Sequence, residues 1–455
     1  MVRYFKMGFK ILFLCSLIFS GFLQAQIESR PVYNTGTGFF VKDGKLYDAN
    51  GMEFILYGAN SVHVWLNDAN AKNALRYEMP KARINTARLV TAGESWTWNN
   101  QSETPAKKKA IAQLAIDAYI VPMLELHDGT CLSEIDRPAA DGKMGLKQIV
   151  DHWLLPDNVA MLNDLEKYLM LNIANEWGPD MDAANSEDFL LGYKDAITRL
   201  RNAGIKNLLV IDAGGCGQDP RTLFNYADQL LEHDPQHNII ASIHLYGLWR
   251  SKDKTFSGWI PPYVVEDDIP KLVALETPVI VGEFGWTGNG TSINYNPEIL
   301  VKTCFDNKMG WLFWAWHSND DEPYYNISAQ PDYKYTSNNS LSNAGKYLVN
   351  NSTYGYKKVS QRASVFPDFV TATENNALPF ELSLYPNPSH SIIKISGNAL
   401  TKNRFQLTDA KGNVCKEGYI LNTDPQIEIG NLPAGIYYLK VFAGTEYKSF
   451  KVMKE

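Results

Sequence analysis

Between Phe54 and Trp316 the chain repeats one motif: a short, almost uninterrupted apolar run followed by a longer stretch with helical spacing. The runs are Phe54 to Asn60, Ile84 to Val90, Ile120 to Leu126, Tyr168 to Ala174, Asn207 to Asp212, Ile239 to Leu245, Pro278 to Glu283 and Gly310 to Trp316. Continuous apolarity over six or seven residues, rather than strict alternation, marks a strand buried on both faces, as in a parallel sheet covered by helices. The intervening stretches carry helix signals, for example Asp195 to Asn202 stopped by Gly204. Eight such repeats predict a (β/α)8 barrel. A doubly wound open sheet would alternate similarly, but no glycine-rich phosphate loop follows the first run. The segment Gly285 to Gly290 is glycine-rich with the wrong spacing and reads as an active-site loop.

Two flanking regions have other patterns. Gly38 to Gly51 alternates polar and apolar residues around Asp43-Gly44 and Asn50-Gly51, a hairpin expected to plug one end of the barrel. Residues 356–380 read as a linker between a catalytic domain at 26–355 and a third segment at 381–455. That segment holds short alternating runs, including Ile392 to Ile395 and Ile436 to Val441, separated by Gly and Asn, and predicts a small all-β sandwich. At the N-terminus, Arg3, Lys6 and Lys10 precede the apolar run Ile11 to Phe22 and then Leu23-Gln24-Ala25, the order of a secretory signal peptide over residues 1–25. The run is too short to span a bilayer.

Composition narrows the function classes. The chain has 455 residues and a net charge of −7, with no basic stretch to neutralise phosphates, so a nucleic-acid partner is not expected. Beyond the signal, Cys131, Cys216, Cys304 and Cys415 are widely spaced and show no zinc-type pairing. Export permits a disulfide without requiring one, and the spacing assigns no bridge.

Two carboxylates carry the chemistry. Glu176, in Leu171-Asn172-Ile173-Ala174-Asn175-Glu176-Trp177, and Glu283, in Pro278-Val279-Ile280-Val281-Gly282-Glu283-Phe284, each close an apolar run. In a parallel barrel the C-terminal strand ends form the active-site face, and a facing carboxyl pair is the minimum equipment for glycosidic cleavage. Retaining hydrolysis needs a protonated donor with a raised pKa and an ionised nucleophile with a lowered one, which burial and a neighbouring Arg respectively supply.

On these residues the chain resembles glycoside hydrolase family 5, whose acid and nucleophile follow strands four and seven; Glu176 ends the fourth run and Glu283 the seventh. The resemblance implies Glu176 as acid/base and Glu283 as nucleophile, with Asn175 holding the sugar 2-hydroxyl. It further implies Arg88 as the residue keeping the nucleophile ionised and His127 as a residue facing the bound sugar. His244 is implied to orient the acid, Tyr246 to hydrogen-bond the nucleophile, and Trp316 to form the sugar platform. Trp314 shares the strand face of Trp316 by period two and is the alternative. Trp65, Trp177, Trp249 and Trp286 follow strands and are candidates for further subsites. Within the family the chain is most similar to bacterial β-mannanases, through Leu46 to Gly51, Asn172 to Trp177 and Gly192 to Ala213. It departs from them at Cys216, where they usually carry Trp, and in Asn60-Ser61-Val62-His63-Val64-Trp65, which matches their block only in part. This implies a mannan or glucomannan substrate, no cofactor and no metal. A β-1,4-glucanase and a catalytically silent glycan-binding protein are the alternatives. The C-terminal motifs Leu384-Tyr385-Pro386-Asn387-Pro388-Ser389 and Asn431 to Tyr438 resemble the sorting domain read by the type IX secretion machinery, implying export across the periplasm to the surface or medium. A carbohydrate-binding module is the competing reading of that segment.

Overall fold

The chain folds into two units, one through residue 367 and one from residue 368. The computed structural model describes residues 27–65, 68–93, 104–287, 293–318, 323–366, 382–397, 402–410, 412–421, 425–443 and 446–455. The expected signal peptide, the end of the expected linker and the tip of the Gly285 to Gly290 loop lie outside the described residues. Among the described residues no helix is long and apolar enough to cross a membrane.

The first unit opens with the expected hairpin, β1 (Phe40–Lys42) against β2 (Lys45–Tyr47). Asp43 and Gly44 turn it with φ of 49° and 70°, the left-handed pair that a two-residue loop needs to match strand twist. Asn238 fixes the hairpin, donating from Nδ2 to the Phe39 carbonyl (3.0 Å) and accepting the Val41 amide on Oδ1 (3.1 Å).

The barrel itself is β3 (Tyr57–Val62), β4 (Thr86–Thr91), β5 (Val121–Leu126), β6 (Met170–Asn172), β7 (Leu209–Asp212), β8 (Ile239–Leu245), β11 (Val279–Phe284) and β12 (Trp311–Phe313). These eight close in chain order into a parallel barrel, β12 pairing with β3. A short parallel pair outside it, β9 (Trp249–Arg250) and β10 (Tyr263–Val264), lies in the connection after β8. Asn238 immediately precedes β8, so the hairpin sits at the N-terminal rim, opposite the face where the strands end. The surrounding helices bury one stripe each; Asp188–Asn202 buries Phe189, Tyr193, Ile197 and Leu200, the three-to-four residue spacing of one helical face.

One sequence expectation is corrected here. Residues 356–366, read as linker, pack on the barrel: Tyr356–Val359 is helical, and Tyr356, Ala363 and Phe366 are buried in the barrel's core. Tyr356 donates its hydroxyl to the Gly58 carbonyl (2.6 Å), and the Asn85 amide donates to the Gln361 carbonyl (2.9 Å). The stretch is polar on average, and its few apolar side chains are the ones that bury.

The second unit is built of antiparallel strands: β13 (Leu382–Tyr385), β14 (Ile392–Gly397), β15 (Lys402–Asp409), β16 (Val414–Leu421), β17 (Gln426–Glu428), β18 (Gly435–Ala443) and β19 (Glu446–Lys454). They form a three-stranded sheet ordered β13-β14-β17 and a four-stranded sheet ordered β16-β15-β18-β19. Ile393, Ile395, Leu407, Leu439, Val441 and Val452, drawn from both sheets, share one core, as in a sandwich.

Candidate active site

The side chains of the site come from the barrel strands and from the residues just after their C-terminal ends. At its centre Arg88 on β4 is fully buried and uses all five guanidinium hydrogens. Nε donates to Asn172 Oδ1 (2.8 Å); Nη1 to Asn60 Oδ1 (3.0 Å) and Glu283 Oε1 (2.7 Å); Nη2 to Asn175 Oδ1 (2.7 Å) and Asp212 Oδ2 (3.2 Å). Burial opposes the Arg88 charge, but Glu125, Asp212, Glu283 and Glu176 around it more than offset this and raise its pKa above the ordinary value.

Glu283 reaches the cluster through a register shift in β11 between Val281 and Glu283, which places it opposite His244 of β8. Besides Arg88 it accepts the Tyr246 hydroxyl on Oε2 (2.9 Å). Glu176 follows β6 with φ of 49°, a left-handed conformation unusual for a side-chain-bearing residue, and its amide donates to Asp212 Oδ2 (3.1 Å). Its Oε1 lies 2.9 Å from His244 Nδ1, and its Oε2 lies 3.7 Å from Cys131 Sγ. One oxygen of Glu176, one of Glu283 and one His244 ring nitrogen all lie within 4.8 Å of one another.

The two carboxyls differ in what surrounds them. Burial raises Glu176 to about 7, Asp212 and Glu125 adding to it against His127 and Arg88. Burial also raises Glu283, where a lowered value was expected, because the barrel interior removes its water; His244 and Arg88 pull it back. Of the two carboxyls, Glu283 is the one that accepts directly from the Arg88 guanidinium, which supports its charged form, whereas Glu176 accepts from His244. The two carboxyls face each other across a gap of a few ångströms.

Asn175 turns its carbonyl oxygen to Arg88, which directs its amide nitrogen to Thr130 Oγ1 (2.8 Å) and toward His127 Nε2 (3.5 Å). His127 rests its Nδ1 on Glu125 Oε1 (3.2 Å), and burial lowers its pKa to about 4, so the ring is neutral near pH 7. Its ring stacks with Trp314, centroids 5.7 Å apart and planes at 21°, and meets Trp65 edge-on at 5.1 Å. Trp65, His127 and Trp314 thus form an aromatic wall beside the carboxyls.

Arg88, His127, Asn175, Glu176, His244, Tyr246 and Glu283 therefore come together as the sequence suggested. Trp316 does not. It is 1% exposed and its indole nitrogen donates to the Tyr333 carbonyl (3.0 Å), leaving no ring face for a ligand. β12 ends at Phe313, so strand alternation does not carry on to residue 316; the half-buried Trp314 is the one on the wall. Trp177 and Trp249 are fully buried and Trp286 nearly so, which makes them core residues rather than subsite linings, while Trp65 lines the cleft.

Sequence reasoning passed over Asp212 and Glu125, both fully buried. Asp212 accepts from Arg88, from the Asn172 amide (3.1 Å) and from the Glu176 backbone. Burial lifts Glu125 to about 8, so it carries a proton near pH 7. Both showed a usable signal, a carboxyl inside or closing an apolar run. The sequence also assigned no bridge between Cys131 and Cys216, which form a disulfide; Cys304 is buried and free, and Cys415 exposed and free.

Comparison with known proteins agrees with this geometry. Residues 47–320 match the cellulase family, glycosyl hydrolase family 5, and residues 383–455 match the secretion system C-terminal sorting domain. A mannan endo-1,4-beta-mannosidase of Salipaludibacillus agaradhaerens is 28% identical over 332 residues, covering 73% of this chain and 96% of that protein. A beta-mannanase/endoglucanase A of Caldicellulosiruptor saccharolyticus is 31% identical over 268 residues, 58% of this chain and 18% of that one. Among solved structures, the β-mannanase of Thermomonospora fusca superposes with a TM-score of 0.60 at 28% identity, covering 73% of this chain and all of that one.

Proposed function

Since the chain belongs to glycosyl hydrolase family 5 and ends in a secretion sorting domain, we propose that this glycoside hydrolase is an exported, retaining endo-β-1,4-mannanase. Glu283 attacks the anomeric carbon while Glu176 gives its proton to the leaving oxygen; Glu176 then takes a proton from the water that hydrolyses the glycosyl-enzyme. The observation that carries the retaining mechanism is the carboxyl spacing. Oxygens within 4.8 Å match the ~5–5.5 Å separation of a nucleophile and acid, and leave no room for the water an inverting pair holds at roughly 6.5–9.5 Å. Arg88 and Tyr246 hold the nucleophile, His244 orients the acid, Asn175 receives the 2-hydroxyl, and Trp314 with Trp65 and His127 receives the apolar faces of the sugars.

The mannan assignment is supported by the relatives named for that activity. In a β-mannoside the 2-hydroxyl is axial, and a site built to hydrogen-bond it rejects the epimer when its polar partner is left unpaired. Mannohexaose is therefore expected to give a higher kcat/KM than cellohexaose, with the β-anomer formed first by proton NMR. A preference for cellohexaose replaces mannan with glucan, the second activity in the name of one relative; a first-formed α-anomer overturns double displacement.

The pH profile follows from the pair. Glu176 must keep its proton, so kcat/KM is expected to fall as pH rises through about 7. Glu283 must lose its proton, and since burial raises it, the acidic limb is expected above the ordinary glutamate range. A pH–rate curve with its alkaline limb near 9 contradicts the assignment of Glu176. The two tryptophans separate in the same way. Trp314→Ala is expected to lower kcat/KM about 10- to 100-fold with little change in Tm, since only a ring face is lost. Trp316→Ala is expected to cost about 3–5 kcal/mol of stability, read by urea unfolding.

We also propose the route of export: residues 1–25 as signal peptide into the periplasm, then type IX transfer directed by the sandwich. The disulfide fits an oxidising compartment.

A further inference from the structure

The Cys131–Cys216 bridge joins two loops that flank Glu176, one following β5 and the other following β7. Each half of the bridge leads to one side of the Glu176 carboxyl. On one side, Cys131 Sγ lies 3.7 Å from Oε2. A disulfide sulfur has no hydrogen, so this contact gives the oxygen no donor; it covers it with an apolar, polarisable surface. The neighbouring Thr130 accepts the Asn175 amide at 2.8 Å, tying the same loop to the residue before Glu176. On the other side, Gly217 follows Cys216 with φ of 72°, and its carbonyl accepts the His244 amide at 2.8 Å. A Cβ at Gly217 would lie 2.8 Å from the His244 ring, so this loop is seated directly on the imidazole whose Nδ1 meets Glu176 Oε1. Cys131 and Cys216 themselves hold φ of 56° and 54°, a left-handed geometry rare for cysteine that the bridge fixes at both ends.

We propose that the Cys131–Cys216 disulfide is a positioning element for the acid/base: it clamps both oxygens of Glu176 through its two loops and keeps water from the outer one. The proposal rests on the reading of Glu176 as the acid. The other groups facing Glu176 are Asp212 from β7, His244 and Tyr246 from β8 and the residues after it, Glu283 from β11, Arg88 from β4, and Glu125 and His127 from β5 and its end. Taking the bridge away admits water to Oε2, and reducing it places an S–H donor there; both favour the ionised acid. Cys131 is exposed and Cys216 half-buried, so a small reductant reaches them.

The test uses the full protein and its Cys131→Ala/Cys216→Ala variant. Carboxyl carbon-13 NMR follows the Glu176 signal, assigned by its loss in Glu176→Gln, through a pH titration that needs no substrate. Its midpoint is expected about one pH unit lower in the variant; an unchanged midpoint overturns the proposal. Kinetics supply the second readout. For mannohexaose, whose leaving group needs protonation, kcat/KM is expected to fall about 10- to 100-fold. For a 2,4-dinitrophenyl β-mannobioside, whose leaving group needs none, it is expected to change less than about threefold. Equal losses on the two substrates would show a general loosening and overturn the positioning role. Dithiothreitol gives the same comparison without mutation, its two thiols passing two electrons and two protons to the bridge and closing into a cyclic disulfide. If the oxidised protein fails on mannohexaose, the mannan reading is what falls, and the titration still answers for the disulfide.

Discussion

Glu283→Ala is expected to lower kcat by about 10⁴-fold or more, with the fold retained, because it removes the carboxylate proposed as the nucleophile. Azide then reports which carboxyl does what. In Glu283→Ala a small anion enters from the side of the missing nucleophile, and the expected product is the α-glycosyl azide. Glu176→Ala still forms the glycosyl-enzyme from a substrate with a good leaving group, and azide attacking it from the opposite side gives the β-azide. Proton NMR of the isolated azides distinguishes the two, and the reverse pattern would exchange the roles of the residues. Glu283 is the better placed for ionisation because Arg88 and Tyr246 both donate to it, whereas Glu176 meets the His244 ring instead.

Arg88→Met is the second large effect expected, and it extends to stability. The substitution removes five hydrogen bonds at once and leaves Asp212 and Glu283 buried without their cation. Breaking a buried pair from one side costs about 3–5 kcal/mol, measured as a lowered urea midpoint. Catalysis should suffer further, since the nucleophile, Asn175 and the Glu176 backbone are all oriented through this one side chain or through Asp212. Arg88→Lys keeps the charge but offers three donors on a flexible stem, so a partial recovery of stability without recovery of kcat is expected. A variant as stable and active as the parent would show that Asn60, Asn172 and Asn175 are held by other means.

The barrel was legible because parallel strands buried on both faces write continuous apolar runs, and each of the eight runs overlaps an observed strand. Boundaries were less legible: the first barrel strand, β3, begins at Tyr57 rather than Phe54, since the residues before it are just as apolar while pairing starts later. Glu176 and Glu283 stood out as charges closing such runs. Asp212 closes one too and was passed over, though it is as deeply buried as Arg88. Trp316 was misplaced because period two holds only while a strand lasts, and β12 stops at Phe313. The disulfide was beyond reach for a different reason. Its cysteines are 85 residues apart, and only closure of the barrel brings the loops after β5 and β7 around the residue that follows β6.

Residues 356–366 have a consequence for maturation. If the sorting unit is cut away after export, the protease cannot cut wherever the polar composition begins. Tyr356 is bonded to the β3 backbone, Gln361 to Asn85 ahead of β4, and Ser364 accepts the Asn50 amide at 3.0 Å beside the N-terminal hairpin. Phe366 stacks on Tyr168, centroids 5.3 Å apart. This strap belts the foot of the barrel, on the side away from the carboxyls. A mature enzyme trimmed at residue 355 would surrender the belt with the address label, whereas one trimmed beyond Phe366 discards only the label.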